Sequence, residues 1–517
     1  CSSDLPSLLF VVSLRGLRNF ASVPVKLTQP PTPHWSNIFK RSNTNMSSPY
    51  ANVKSAFSDV ETKRAGDFLE FINASPSQFH AVETTVKSLV AAGFAQVSER
   101  DAKWNVLPGG KYFYTRNQSS VVAFIVGMKW QPGNGFTISA AHTDSPVLKV
   151  KPVSKVSKNG YLEVGVEPYG GGLWHTWFDR DLTVAGRVMI ASGGDYVMKL
   201  VHIKRPILRI PTLAIHLNRE VNDKGFIFNK QAHMLPVIAT NVAEQLNGAR
   251  KDSPMSNDHH PLLIELLAKE LDVAPEDIRD FELSLTDMQP AGFGGAHNEF
   301  IFSRALDNLC MSHICSQALI ASATSESINN EEKIRIVALF DHEECGSASV
   351  MGAASNGMYQ LLNKLNADPA SYDAAIAKSF LVSADMAHAL HPNYAELHEE
   401  NHRPAMHKGL VVKTNQNQRY ATSGISGFIM EEIARVNGVP TQKFVIRNDL
   451  ACGSTIGPIL ATSCGIRTVD VGVPQLSMHS IREMCGVADF QSAFKLILAF
   501  YEQFTAMDKK VVIPGEH

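Results

Sequence analysis

The chain has 517 residues, 44% of them hydrophobic and 19% charged, with a formal net charge of −2. That length holds two domains, or one large domain with an insertion, and the composition is that of an ordinary soluble globular protein, neither fibrous nor disordered. The small charge gives no electrostatic attraction to nucleic acid or to an anionic membrane. No apolar run reaches the ~18 residues of a spanning helix. The seven cysteines include no CxxC pair; the odd, scattered count argues against a disulfide framework and for a reducing compartment.

Residues 1–45 read differently from the rest, with five basic residues, seven serines and one acid, Asp4. The apolar Leu8–Val12 stretch followed by Arg15 and Arg18 has the composition of an organellar transit segment. Met46 lies just beyond, so the same residues read equally well as upstream sequence outside the working protein. The expected location is cytoplasmic, or organellar if residues 1–45 are a true transit segment.

From about Glu61 the pattern is globular. Asp67–Ile72 and Ala81–Val90 have the apolar spacing of helices. Val121–Val126 is a β-branched run, and Gly135–Ala140 is a strand candidate that leads to His142. Between Val147 and Asp287 the chain predicts short β-type segments with turns: Tyr161–Val166, Val184–Ile190 and Leu213–Leu217, with glycines at 170–172 and 193–194. This region, 147–286, reads as an inserted, mostly β domain. Beyond Asp287 strands alternate with helices: Ile334–Phe340, Phe380–Ser383 and Thr468–Val471 with Leu309–Ala323 and Gly427–Val436. That alternation predicts an α/β fold, a doubly wound, largely parallel sheet covered on both faces. It would be built from residues 61–146 and 287–512.

Four of these strands run into metal-capable groups: His142-Thr143-Asp144, Asp341-His342-Glu343-Glu344, Asp385, and, after a short loop, His479. In open α/β sheets ligands bind beyond the carboxyl ends of the strands, so segments far apart in sequence converge on one crevice. Asp307, where a helical pattern begins, is the fifth member. Two histidines with three carboxylates suit zinc or a similar ion better than calcium, which takes only oxygen. Two cations ~3.5–4 Å apart need a bridging carboxylate, and such a pair acidifies a water and polarises a carbonyl. A further carboxylate then moves the proton to the leaving amine; adjacent Glu343 and Glu344 can divide those tasks. Taken singly, each residue has a plainer explanation: a polar strand end for His142, a solvated pair for Glu343-Glu344, a helix cap for Asp307, a turn cap for Asp385.

The joint pattern resembles the aspartyl aminopeptidases, a family of di-metal exopeptidases. The resemblance rests on Ala141–Pro146, Gly170–Asp181, Pro211–His216, Leu306–Leu309, Phe340–Glu344, Ser383–His388, Asn417–Thr422, Cys452–Pro458 and Gln475–Glu483, and it spans about Gly66 to Val512. It implies one metal on His142, Asp307 and Asp385, and a second on Asp307 as bridge, Glu344 and His479. It further implies Glu343 as general base and Asp144 orienting a ligand imidazole. Glu343, Asp385, His388, Lys413 and Tyr420 fall at substrate positions, and His216 matches a histidine delivered by a neighbouring subunit. The implied cofactors are two Zn2+ per subunit, with Mn2+ or Co2+ able to occupy one site. The implied substrates are peptides with N-terminal Asp or Glu, for which Lys413 is the physical candidate cation. The implied assembly is a tetrahedral homo-dodecamer in which the inserted domain makes dimer contacts.

Two positions depart from the family pattern. Ala305 stands where an arginine is usual, with Arg304 one residue earlier, which leaves that arginine's anchoring role open. Cys345 replaces a small aliphatic residue and is expected to be a buried small hydrophobe. Two other readings stay open at this level: an aminopeptidase of the same architecture preferring neutral or leucine-like N-termini, and a silent assembly or cargo protein of this fold. A panel of aminoacyl substrates separates the first; loss of a ligand would mark the second, and all five ligand candidates are present.

Overall fold

The computed structural model describes residues 57–246 and 253–514; the transit-like segment 1–45 lies outside them. A capping box opens the first helix, Asp59–Ala74: Glu61 reaches back to the Ser58 backbone while the Ser58 hydroxyl takes the Glu61 N–H. Such reciprocal caps satisfy two of the donors that every helix start leaves orphaned.

Nine strands form the main sheet, in the order Ala95–Gln96, Lys111–Arg116, Ser120–Val126, Ile334–Phe340, Phe136–His142, Phe380–Ala384, Arg467–Gly472, Leu410–Lys413 and Thr441–Phe444. The central four, from Ile334–Phe340 to Arg467–Gly472, are mutually parallel; antiparallel pairings appear towards the flanks. The sheet is therefore mixed with a parallel centre. Side chains alternate between its faces, and both faces are dry. Val337 and Leu339 pack into the core shared with the helices Asp59–Ala74, Leu306–Ser322 and Val487–Asp508. Ile334, Ile336, Ala338 and Phe340 pack on the other side with Gly357–Asn366 and Ile456–Cys464. Each fully buried aliphatic residue here stabilises the fold by about 1.5–3 kcal/mol, which explains why these short strands are so apolar. Among the described residues no helix is long and apolar enough to cross a membrane.

A second, six-stranded sheet is built from strands between Val147 and Asp287, with every neighbouring pair antiparallel. Its core holds Trp174, Trp177 and Phe178 with the helix Pro261–Leu271. The Leu182–Ser192 and Asp195–His202 strands are joined by Gly193-Gly194, both at positive φ (61° and 93°), as a tight two-residue hairpin turn requires. The expected β-type segment Leu213–Leu217 is not a strand: Ile215–Leu217 is a 3-10 turn on an exposed stretch. Among the described residues no strand pairs with its alternating apolar residues. Leu217 and Asn218 instead donate to the carbonyls of Ala214 and Ile215, the short-range bonding that an unpaired segment adopts. A third sheet of five short strands includes Phe300–Ser303, Glu483–Gly486, Pro474–Leu476 and Ala387–His388.

Candidate metal centre

Because the four central strands are parallel, their carboxyl ends lie along one sheet edge. His142 is the last residue of Phe136–His142, Asp341–Glu344 follow Ile334–Phe340, and Asp385 follows Phe380–Ala384. Asp307 opens the helix Leu306–Ser322 with a non-helical backbone, and the Asp307–Asn308 peptide is cis. His479 arrives on the turn beyond Pro474–Leu476 at φ 66°. The segments are tied to one another by their own polar groups. Asn308 Nδ2 donates to the Ala384 carbonyl at 2.8 Å, Ser312 Oγ to the His142 carbonyl at 2.6 Å and Ser145 Oγ to the Asp307 carbonyl at 2.7 Å.

Asp307 sits between the two histidines. Its Oδ1 is 3.3 Å from His142 Nε2 and its Oδ2 is 3.2 Å from His479 Nε2. Asp385 Oδ1 lies 3.7 Å from His142 Nε2, on the Oδ1 side; Glu344 Oε2 lies 3.4 Å from His479 Nε2, on the other. Glu343 Oε2 stands 3.8 Å from His142 Nε2, and its side chain is 16% exposed against 3% for Glu344. His142, Glu343 and Asp385, and His142, Asp307 and Glu344, present ligand atoms close enough to share an ion.

The charges explain why the cluster calls for cations. Burial opposes a charge on His142, yet Asp144, Asp307 and Asp385 hold its imidazolium well above the ordinary range. His479 is likewise raised to about 10, Asp307 and Glu344 outweighing its burial. Burial, then the Asp307 charge, pushes Glu344 up, and burial raises Glu343 to about 8 with Asp385 and Asp307 adding to it. So many carboxylates persist together only by sharing protons or by gaining cations. Asp307 Oδ1 and Glu344 Oε1 are moreover buried with no hydrogen-bond partner, and buried polar atoms are rarely left so. Two imidazoles and three carboxylates, two of which carry an orphaned oxygen, match the donor set of zinc.

Asp144 meets the His142 imidazole and also holds the loop that follows the strand Ile334–Phe340. The hydrogen bond from His142 Nδ1 goes to the Asp144 main-chain carbonyl at 3.0 Å, while its carboxylate stands 3.4 Å away. That carboxylate accepts the Glu343 and Glu344 N–H groups at 3.2 and 3.0 Å and the Tyr169 hydroxyl at 2.6 Å. Sequence reasoning missed Tyr169, although it stands directly before the Gly170–Gly172 run. It also did not single out Glu483, which lies inside a motif string and whose carboxylate accepts the Leu306, Asp307 and His479 N–H groups.

Lys413 is buried at 2% exposure. Its Nζ donates to the Met386 carbonyl at 3.1 Å and lies 5.1 Å above the Tyr420 ring, which places it beside the residue that follows Asp385. Asp470 is its cross-strand partner. Tyr420 is buried, and His388 packs 5.6 Å from the Phe444 ring, burial lowering its pKa to about 4. His216 lies on the exposed turn Ile215–Leu217, and no ion pair or hydrogen bond described joins it to the centre. Arg304 Nη2 donates to the carbonyls of Ile72 and Ser75 at 2.7 and 2.5 Å, so the arginine one residue early anchors the segment before Asp307 to the end of the first helix. Cys345 corrects an expectation: it is exposed, with Sγ 3.5 Å from the His342 carbonyl. It follows Glu344 on a loop beyond the strand end, where no core is available to cover it.

Residues 71–501 match the family described as Aminopeptidase I zinc metalloprotease (M18). A probable aspartyl aminopeptidase of Ricinus communis is 52% identical over 475 residues, covering 86% of this chain and 96% of the relative. In a cryo-EM structure of the Ape4 and Nbr1 complex, the matching chain is 45% identical with TM-score 0.85, covering 89% of this chain and 90% of that one. The S. cerevisiae mApe1 dodecamer aligns at 29% identity and TM-score 0.76 over 87% of this chain and 98% of that one. Matched over most of its length by the family and by relatives of this similarity, the chain belongs to the M18 family of aminopeptidase I zinc metalloproteases.

Proposed function

We propose that this chain is an aminopeptidase that releases N-terminal Asp and Glu from peptides at a centre for two zinc-type cations. The observation that carries this reading is Asp307 facing His142 with one carboxylate oxygen and His479 with the other, at 3.3 and 3.2 Å. In this arrangement His142, Asp307 and Asp385 would hold one ion, and Asp307, Glu344 and His479 would hold the other; Zn2+ is the expected metal, and His/carboxylate donors also accept Mn2+ or Co2+ in one site. When bound, the cations supply Lewis-acid polarisation of the scissile carbonyl and acidification of the attacking water.

The protein's own groups do the rest. Glu343, the more open of the paired glutamates, takes the proton of the attacking water on its carboxylate and returns it to the leaving amine nitrogen. Asp144 fixes Glu343 and Glu344 by their backbones. The Lys413 ammonium has three donors, one of them engaged by the Met386 carbonyl, and turns the others to the acidic side chain of the substrate. His388 and Tyr420 flank that position. The sheet of residues 147–286 serves as the dimerisation domain. Its exposed stretch carries Leu213, Ile215, Leu217 and Ile227 at 57%, 45%, 74% and 80% exposure, apolar surface that a second copy would cover while His216 enters that copy's site. The relative described as a dodecamer supports the same assembly here. Free thiols at the six cysteines of the described residues fit a reducing, cytoplasmic setting.

Metal analysis of the purified protein, together with kcat/KM on aspartyl, glutamyl, alanyl and leucyl substrates, tests this reading. It expects two equivalents of zinc per chain and a preference for the acidic substrates. One equivalent, or faster turnover of leucyl substrates, would overturn it.

A further inference from the structure

Glu483 is 3% exposed in the strand Glu483–Gly486, and its carboxylate accepts four hydrogen bonds. Oε2 accepts the backbone N–H groups of Leu306 at 2.5 Å and Asp307 at 3.2 Å. Oε1 accepts the His479 N–H at 2.9 Å and Gln475 Nε2 at 3.3 Å. One side chain thus joins the helix start that carries Asp307 to the turn that carries His479.

Both segments depend on such a contact. The helix Leu306–Ser322 follows Ala305 at φ 50° and has no side-chain cap of its own, so the Leu306 and Asp307 N–H groups would be orphaned in a dry site. Ser477 and His479, neither a glycine, lie at φ 61° and 66°, a region that side chains with a Cβ disfavour. The His479 carbonyl is held by the Leu173 N–H at 2.9 Å; its N–H is held by Glu483. All the donors around the carboxylate point inward, and its oxygens are committed to them, so Glu483 acts through its neighbours' backbones and is not a ligand.

We propose that Glu483 is a positioning residue of the metal centre: it sets the separation of Asp307 from His479 and thereby the hold on the cation between them. The inference rests on reading Asp307 and His479 as ligands, and it adds a residue that serves both at once.

Glu483→Gln has the same shape but turns an NH2 group against an N–H donor at one end of the clamp. Glu483→Asp keeps both acceptors on a shorter stem. Zinc content after gel filtration and the rate of zinc release to excess chelator are measured for both, with melting in chelator as the control for folding. Glu483→Gln is expected to release zinc about 10- to 100-fold faster, with Glu483→Asp between it and wild type. Saturating zinc is expected to restore kcat while KM for an aspartyl peptide stays unchanged. Release at the wild-type rate overturns the proposal, as does a loss of kcat that zinc does not restore. If Glu483→Gln fails to fold, Glu483→Asp decides by the same rates. His479→Ala run alongside separates the two levels: wild-type zinc retention there removes the ligand reading itself, whereas loss of zinc in His479→Ala with none in Glu483→Gln removes only the role of Glu483.

Discussion

Replacing Lys413 by methionine keeps an unbranched side chain of similar length in the buried position and removes only the ammonium. In the free enzyme that ammonium has one acceptor given by the structure, the Met386 carbonyl at 3.1 Å, in a site 2% exposed. A substrate carboxylate entering there gains charge-assisted hydrogen bonds worth about 1.5–3 kcal/mol each, with little competition from water. Losing the cation would strand that carboxylate in a dry pocket, so about 3 kcal/mol is a fair scale for the loss. At 1.36 kcal/mol per tenfold, kcat/KM for aspartyl and glutamyl substrates should fall about 100-fold. An alanyl or leucyl substrate never makes the contact, and its kcat/KM should change by less than about 5-fold, since only packing is altered. The assay is kcat/KM on the four aminoacyl substrates for wild type and Lys413→Met, at matched zinc content. Equal losses on acidic and neutral substrates would refute the reasoning and leave Lys413 as a structural cation beside its cross-strand neighbour Asp470.

Glu343→Ala should keep the zinc content of wild type and lose turnover by about 100-fold to 10,000-fold; metal analysis beside single-turnover kinetics checks both halves. His216→Ala should lower turnover although every group of the chain's own centre is intact, with unchanged zinc and unchanged oligomer size by light scattering. Chelation should abolish activity and lower the melting temperature, because it leaves the carboxylates of the centre to repel one another, and added zinc should reverse both. His313 gives a pH test away from the centre. It is packed between Phe68 and Phe71, and burial depresses its pKa to about 4 from 6.5. The unfolded chain takes up this proton below pH 6.5 and the folded chain does not, so the stability present above that pH is lost as pH falls towards 4. The loss reaches at most about 3 kcal/mol. His313→Leu should therefore melt with a flatter pH dependence between 6.5 and 4; parallel curves would remove His313 as a source of acid sensitivity.

The parallel centre of the main sheet and the ligand candidates at its edge could be read from residue order alone. Short, β-branched, mostly apolar runs such as Ile334–Phe340 and Phe380–Ala384 read as strands covered on both sides, and a charged residue at or just after the end of such a run stands at the strand's carboxyl end wherever the strand goes. The positions of His142 at the end of its strand, of Asp385 directly after Ala384 and of Glu343 and Glu344 just beyond Phe340 were legible for that reason. Leu213–Leu217 was misread because alternation proposes a strand but cannot supply its neighbour, and Cys345 because burial depends on what lies across the loop. The surroundings of Glu483 and Lys413 are of the same kind. Glu483 is 177 positions from Leu306, and a carboxylate that accepts backbone N–H groups leaves no mark on the identity of the residues it holds. Lys413 is a buried cation only because Leu410–Lys413 runs antiparallel to Arg467–Gly472 and brings its ammonium beside Met386. Local pattern fixes which groups stand at strand ends. Which of them face one another, and which lose their water, follows from long-range packing that no single segment contains.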